Sequence, residues 1–353
     1  MSRSKLIVLH GMGFHSAEAT KQTVIDAANR VLRRYTRFKE VRFEDYVHVI
    51  GIGYDDIFED ERKRLVENNT KVSDFLKTGK IAPDFVKKLV ELEARIGEDK
   101  FFTTHALDVI FYQTLLGEQV RLRVVREIAD VWKEWRHQDM HIMAHSLGTA
   151  VLHDTLHKAY TSGIGGIKFS PVTHKFDSLW MLANVSNLTF SITPLKIKFN
   201  PYKSVVRPSY TDDGCTEEFY NYWHVLDPFT LFHKFAPAND GSWVPEVIYD
   251  SLYKSKPDGL KYIGSTLNPH DLSEYISNPY VSYRFMSRML PRDVFDPTEA
   301  EIKQADAKYK NLEGDAKKIA EYVKKIKSID DIAQLVEAIK GFEDYLDQLK
   351  TSV

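Results

Sequence analysis

The chain of 353 residues is predicted to be an α/β protein with a mostly parallel central sheet flanked by helices. Three observations predict it. Short unbroken apolar runs recur between Leu6 and Leu226, as expected for strands buried on both faces of a parallel sheet. Segments with helical spacing of apolar residues separate them. Some of the runs end in glycine or proline turns, where a buried strand leaves the sheet.

The elements follow in order. Leu6-Ile7-Val8-Leu9 is the first strand, ended by His10-Gly11-Met12-Gly13. Residues 18–35 read as a helix with Val24, Ile25, Ala28 and Val31 on one face. Val47 to Ile52 is the second strand, His141 to Ala144 the third, Leu179 to Leu182 the fourth and Tyr220 to Leu226 the fifth. Helical patterns cover 108–136 and 149–159.

Three stretches break the alternation. Residues 56–103 are charged and helical, with Phe85, Val86, Leu89, Leu92 and Ile96 along one face. Residues 183–218 are polar, proline-bearing and longer than an ordinary loop. From 293 onward the chain becomes rich in Lys, Glu and Asp. Asp296-Pro297-Thr298-Glu299 reads as a helix start capped by Asp296, and Ser328-Ile329-Asp330-Asp331 as a second. Ile332, Leu335, Val336, Ile339, Phe342, Leu346 and Leu349 then form an apolar stripe. The expected organisation is a domain over 1–292, with helical insertions at 56–103 and 183–218, and a C-terminal helical hairpin over 293–353. The stripe is also close to heptad spacing, so the hairpin offers a homodimer contact.

Composition narrows the function. A net charge of -2 offers no electrostatic basis for a nucleic-acid or membrane-surface partner. Cys215 is the single cysteine, so there is no intrachain disulfide and no sign of an oxidising compartment. The first apolar run is too short for the core of a signal peptide, and no run reaches the length of a membrane span. A cytoplasmic location is expected.

Ligands of parallel α/β sheets bind beyond the carboxyl ends of the strands, so the residues there carry the chemistry. Ala144-His145-Ser146-Leu147-Gly148 follows the third strand. A serine on a tight strand-to-helix turn exposes its hydroxyl, and the turn needs small neighbours such as Ala144 and Gly148. Taken alone, Ser146 could equally be a helix cap. A nucleophilic serine needs a base, and the base an orienting acid. Asp227, followed by Pro228, comes after the fifth strand, and His270 lies in the polar loop Ser265 to Asp271. Glycine-flanked Met12 and the residue after the serine, Leu147, are the candidate backbone N–H donors for an oxyanion. The glycine turn lacks both the third glycine of a dinucleotide site and the Gly-Lys-Ser/Thr of a phosphate loop.

Together "VLHGMG", "MAHSLGTAVLHDTL", "YWHVLDPF" and "NPHDLSEY" resemble the serine-hydrolase members of the α/β-hydrolase fold, in particular the lipase- and esterase-like ones. The resemblance runs over about residues 4–290 and departs at Ala144, where the elbow's first glycine is expected. Alanine stands at that place in some lipases of the family. The resemblance implies Ser146 as nucleophile, Asp227 as acid, His270 as base and Met12 and Leu147 as oxyanion donors. It further implies hydrolysis of a small-molecule or lipid ester through an acyl-enzyme, with no metal or organic cofactor. The same apparatus serves thioesterases and acyltransferases, and a silent hydrolase fold serves as an interaction module.

Other constellations compete. His153-Asp154-x-x-His157 puts two histidines on one helix face, but lacks the glutamate and third ligand of a zinc site, so both read as helix-surface histidines. His145 is expected to pack at the turn and His224 inside the fifth strand. Asp271, Asp212 and Asp213 rank behind Asp227 as the acid. The 56–103 insertion could act as a lid. Tyr54, Phe101, Phe102, Phe111 and Tyr112 could line an acyl pocket, or simply belong to the core.

Overall fold

The computed structural model describes residues 4–11, 16–67, 108–109, 111–135, 139–187, 204–231, 234–235, 237, 252–262, 264, 268–309 and 341. Among them, strands β1 (Ser4–Leu9), β2 (Val47–Ile52), β3 (Met140–His145), β4 (Phe176–Leu182), β5 (Thr216–Tyr222) and β6 (Tyr253–Ser255) form one sheet. Its order is β2-β1-β3-β4-β5-β6 and every pairing is parallel. The α/β class with a parallel central sheet is therefore the fold.

The helices are α1 (Ala17–Leu32), α2 (Phe43–Tyr46), α3 (Asp55–Glu67), α4 (Gly117–Glu134), α5 (Leu147–Tyr160), α6 (Pro228–Leu231), α7 (Leu272–Ser277), α8 (Pro279–Met289) and α9 (Glu299–Ala307). A π-helical turn, Tyr112–Leu116, leads into α4. Strand alternation divides the core. Leu6 and Val8 of β1 face α1, α7 and α8, packing with Val24, Val31, Leu272 and Phe285. Ile7 and Leu9 face the other way, with Val124 and Ile128 of α4 and Val151 and Leu152 of α5. The chain winds from β1 outward to β2, then returns to build β3 to β6 on the other side. Such a reversal sends right-handed crossovers to opposite faces and opens a crevice between the ends of β1 and β3.

Aromatic packing fixes the α7–α8 layer. Trp180 of β4 is fully buried, lies flat on Tyr220 of β5 at a centroid distance of 3.7 Å, and meets Phe285 of α8 edge-on at 5.4 Å. Removing a buried tryptophan of this kind costs about 3–5 kcal/mol.

Local differences from the sequence reading have physical causes. The fifth strand is Thr216–Tyr222, starting inside the expected 183–218 insertion and ending before Leu226. Its first half, Thr216-Glu217-Glu218, is polar because that end is only partly covered, which hides the strand from an apolar-run criterion. Beyond Tyr222 the chain turns, with Leu226 N–H donating to His224 Nδ1 and Asp227 N–H to the His224 carbonyl. His224 thus lies outside the strand, in an isolated bridge to Leu260. The three-residue β6 has no apolar run to announce it.

Helix α9 is capped by Thr298 rather than Asp296: its hydroxyl and the Glu301 carboxylate form a reciprocal capping box. Ala305 joins the core, Arg37 pairs with Glu301, and Tyr309 donates to the buried Glu274, so this helix packs on the α1–α7 layer. The second C-terminal helix with its homodimer stripe, and the 68–103 part of the first insertion, lie outside the described residues, as do Phe101 and Phe102. No helix among the described residues is long and apolar enough to cross a membrane.

Candidate active site

The site lies at the carboxyl edge of the sheet, where β3 passes into α5. Helix α5 begins directly after β3, and Ser146 joins them at φ 54° and ψ -132°, a region that side chains rarely occupy. Several contacts hold it there. Ser146 N–H donates to the Leu182 carbonyl, extending the β3–β4 ladder by one bond. The Thr149 hydroxyl donates to the Ser146 carbonyl at 2.6 Å and accepts from Val185 N–H at 3.0 Å, tying the turn to the chain leaving β4.

Close packing explains the glycines. A Cβ on Gly11 would lie 2.5 Å from Ser146 Cβ and 2.7 Å from Leu147 N. One on Gly148 would lie 2.6 Å from the His10 carbonyl oxygen. The end of β1 and the start of α5 therefore touch backbone to backbone. The Tyr54 hydroxyl donates to the His10 carbonyl and orients that peptide.

Three expected side chains meet here. His270 Nε2 lies 2.8 Å from Ser146 Oγ, and His270 Nδ1 lies 2.8 Å from Asp227 Oδ2. Asp227 Oδ2 only accepts, so Nδ1 carries the proton and Nε2 presents its lone pair to the serine hydroxyl. Asp227 is fully buried. Its charge is met by His270, by Phe229 N–H on Oδ1 at 3.0 Å, and by the Tyr275 hydroxyl on Oδ2 at 2.9 Å. The His270 ring is wedged against Phe229, with centroids 4.5 Å apart, and keeps 15% side-chain exposure.

Of the expected oxyanion donors, Leu147 occupies the first position of α5, where N–H groups have no intrahelical acceptor and the helix dipole is positive. Met12 lies outside the described residues.

The neighbouring histidines hold loops. His145 is buried and its Nε2–H donates to the His270 carbonyl at 2.7 Å, which pins the base's loop to β3. His224 accepts from Leu226 N–H at Nδ1 and donates from Nε2 to the Tyr262 carbonyl. Burial pushes its imidazole down to about 4, which keeps it neutral. Asp271 caps α7 by accepting from Ser273 N–H. Asp213 closes its own loop with Arg207 and Ser209.

Two readings are corrected. His153 is buried rather than on the helix surface, because α5 is covered on nearly every side. His157 is half-buried and bonded to Ser204 at 2.8 Å. Among the described residues no three His, Cys, Asp or Glu side chains cluster as a metal site. Tyr54, Phe111 and Tyr112 belong to the core beneath α5. The sequence reading assigned no role to Tyr275 or Thr149, and offered Tyr54 for an acyl pocket or the core rather than for its bond to the His10 carbonyl. Tyr275 and Thr149 lie within the quoted motifs, but a hydroxyl on a buried face has no motif of its own.

The fold and site define a parallel α/β protein with a serine–histidine–aspartate chain at the carboxyl edge of its sheet. No family model, curated protein or solved structure matches the chain.

Proposed function

We propose that the chain is a serine hydrolase of the α/β-hydrolase fold that cleaves a carboxylic ester, of a small molecule or a lipid, through an acyl-enzyme on Ser146. One observation carries the reading: Ser146, strained on its turn, is hydrogen-bonded to an imidazole that is itself hydrogen-bonded to a buried carboxylate. The chain order, serine then aspartate then histidine, is that of α/β-hydrolases.

His270 takes the hydroxyl proton as Ser146 Oγ bonds the carbonyl carbon, and Asp227 stabilises the imidazolium without taking its proton. Leu147 N–H holds the oxyanion, with Met12 N–H as second donor. The tetrahedral adduct collapses, the ester C–O bond breaks, and His270 protonates the departing alkoxide. Water, deprotonated by His270, then repeats the addition on the acyl-enzyme and releases the acid. A cytoplasmic setting belongs to the same proposal, consistent with the single cysteine.

Ser146→Ala is expected to lower turnover of chromogenic esters roughly 10⁴-fold or more while the chain stays folded by circular dichroism. Wild type is expected to label with a fluorophosphonate and the variant not to. Ester turnover that survives the substitution, or an unlabelled wild type, overturns the reading.

A further inference from the structure

Asp227 Oδ2 receives two donors. One is His270 Nδ1–H at 2.8 Å, and the other is the hydroxyl of Tyr275 at 2.9 Å. Tyr275 is buried on α7, five residues beyond the histidine, and its oxygen accepts from His224 N–H at 3.0 Å. With that lone pair engaged by an N–H donor, the phenol proton points at the carboxylate. Burial first, and the Asp227 charge second, push the phenol well above its ordinary range, so it stays protonated and can only donate there.

We propose that Tyr275 is a positioning residue of this site: its hydroxyl selects the carboxylate oxygen that faces the imidazole and weakens that oxygen's pull on His270 Nδ1–H. A carboxylate oxygen shared between two donors offers each less charge than one bonded to a single donor. Phe229 N–H holds Oδ1, so the tyrosine and that amide together fix both oxygens. The inference rests on the serine-hydrolase reading for its catalytic meaning, though not for the bond itself.

Other ionisable groups face this chain. His145 of β3 stands 5.0 Å from the His270 ring and 5.9 Å from the Tyr275 ring, with His10 5.1 Å behind it. His224 approaches from the turn after β5. On the segment carrying Tyr275, Glu274 is turned to Gly264 N–H and Tyr309, and Asp271 to its helix cap. All of these remain in a Tyr275→Phe variant, so that change isolates the hydroxyl.

The test is an NMR titration of the histidine side chains, with the His270 signals assigned by their loss in His270→Asn. In Tyr275→Phe the titration midpoint of His270 is expected to rise by about one unit, because the carboxylate regains its pull on the imidazolium. Site-specific 3-fluorotyrosine at position 275, a stronger donor that keeps the ring, is expected to lower it. The acidic limb of the fluorophosphonate labelling rate is expected to move in the same directions. A role confined to packing predicts no movement with fluorotyrosine, and an unmoved midpoint in that protein overturns the proposal even where Tyr275→Phe fails to fold. Midpoints that move in a chain that never labels support the Tyr275 bond and overturn the hydrolase reading. Labelling with fixed midpoints does the reverse.

Discussion

At the scale of single residues, space around Ser146 is the controlling quantity. Gly11 leaves no room for a side chain, since its nearest neighbours are Ser146 Cβ, Leu147 N and the His145 carbonyl oxygen at 2.5, 2.7 and 2.9 Å from an added Cβ. None of these is the far end of a flexible side chain. Gly11→Ala is therefore expected to destabilise the chain by about 1–3 kcal/mol, as overpacking does, and to slow fluorophosphonate labelling by displacing the turn. Denaturant titration and the labelling rate check both, and an alanine variant with native stability and rate contradicts the packing described. Ala144 is the contrasting case. Its methyl group points into the core beneath α5, so the absent glycine leaves no conflict there.

Between elements, the turn depends on ties that cross from α5 to the chain after β4. Thr149 supplies one of them, accepting from Val185 N–H, while the same buried hydroxyl donates to the Ser146 carbonyl within the turn. Thr149→Val keeps the shape and removes both bonds. The expected cost is about 1–3 kcal/mol in stability, read from chemical denaturation, with Thr149→Ser recovering most of it. A valine variant as stable as wild type means that the hydroxyl holds nothing. This tie was invisible from the sequence, because Val185 lies 36 positions away. The α5 helix was legible from its own periodicity, and β1 to β3 from their apolar runs, since every residue of β3 is buried. Strands β5 and β6 were partly or wholly hidden, being polar at one end or three residues long.

For the whole molecule, stability has a pH dependence set by buried neutral histidines. Burial pushes His141 down to about 3 and His224 down to about 4, from an ordinary value of 6.5. His141 sits in β3 against the Ser178 hydroxyl, so charging it strains the middle of the sheet. The unfolded chain protonates these rings below 6.5 while the folded one does not, so stability is retained above that pH and lost as pH falls. Loss continues to about 4 for His224 and about 3 for His141. With two such groups the slope reaches about 2.7 kcal/mol per pH unit. Urea midpoints measured at intervals from pH 7 to about 4.5 are expected to fall steadily, and a flat series contradicts the buried neutral state.

The sequence by itself determined the α/β class, the parallel strands with long apolar runs, and the order of Ser146, Asp227 and His270 along the chain. These follow from short-range physics: strand burial, helical period, and turns that need glycine or proline. It could rank Asp227 above Asp271, yet it could not show them apart. Tertiary structure decided that, aiming Asp227 at the imidazole and Asp271 at a helix cap. It also turned His145 from a packing residue into a clamp on the His270 loop and gave Tyr275 its carboxylate. Those bonds join residues 125 and 48 positions apart, and hydrogen bonds across such distances exist only once the sheet has brought its strand ends together.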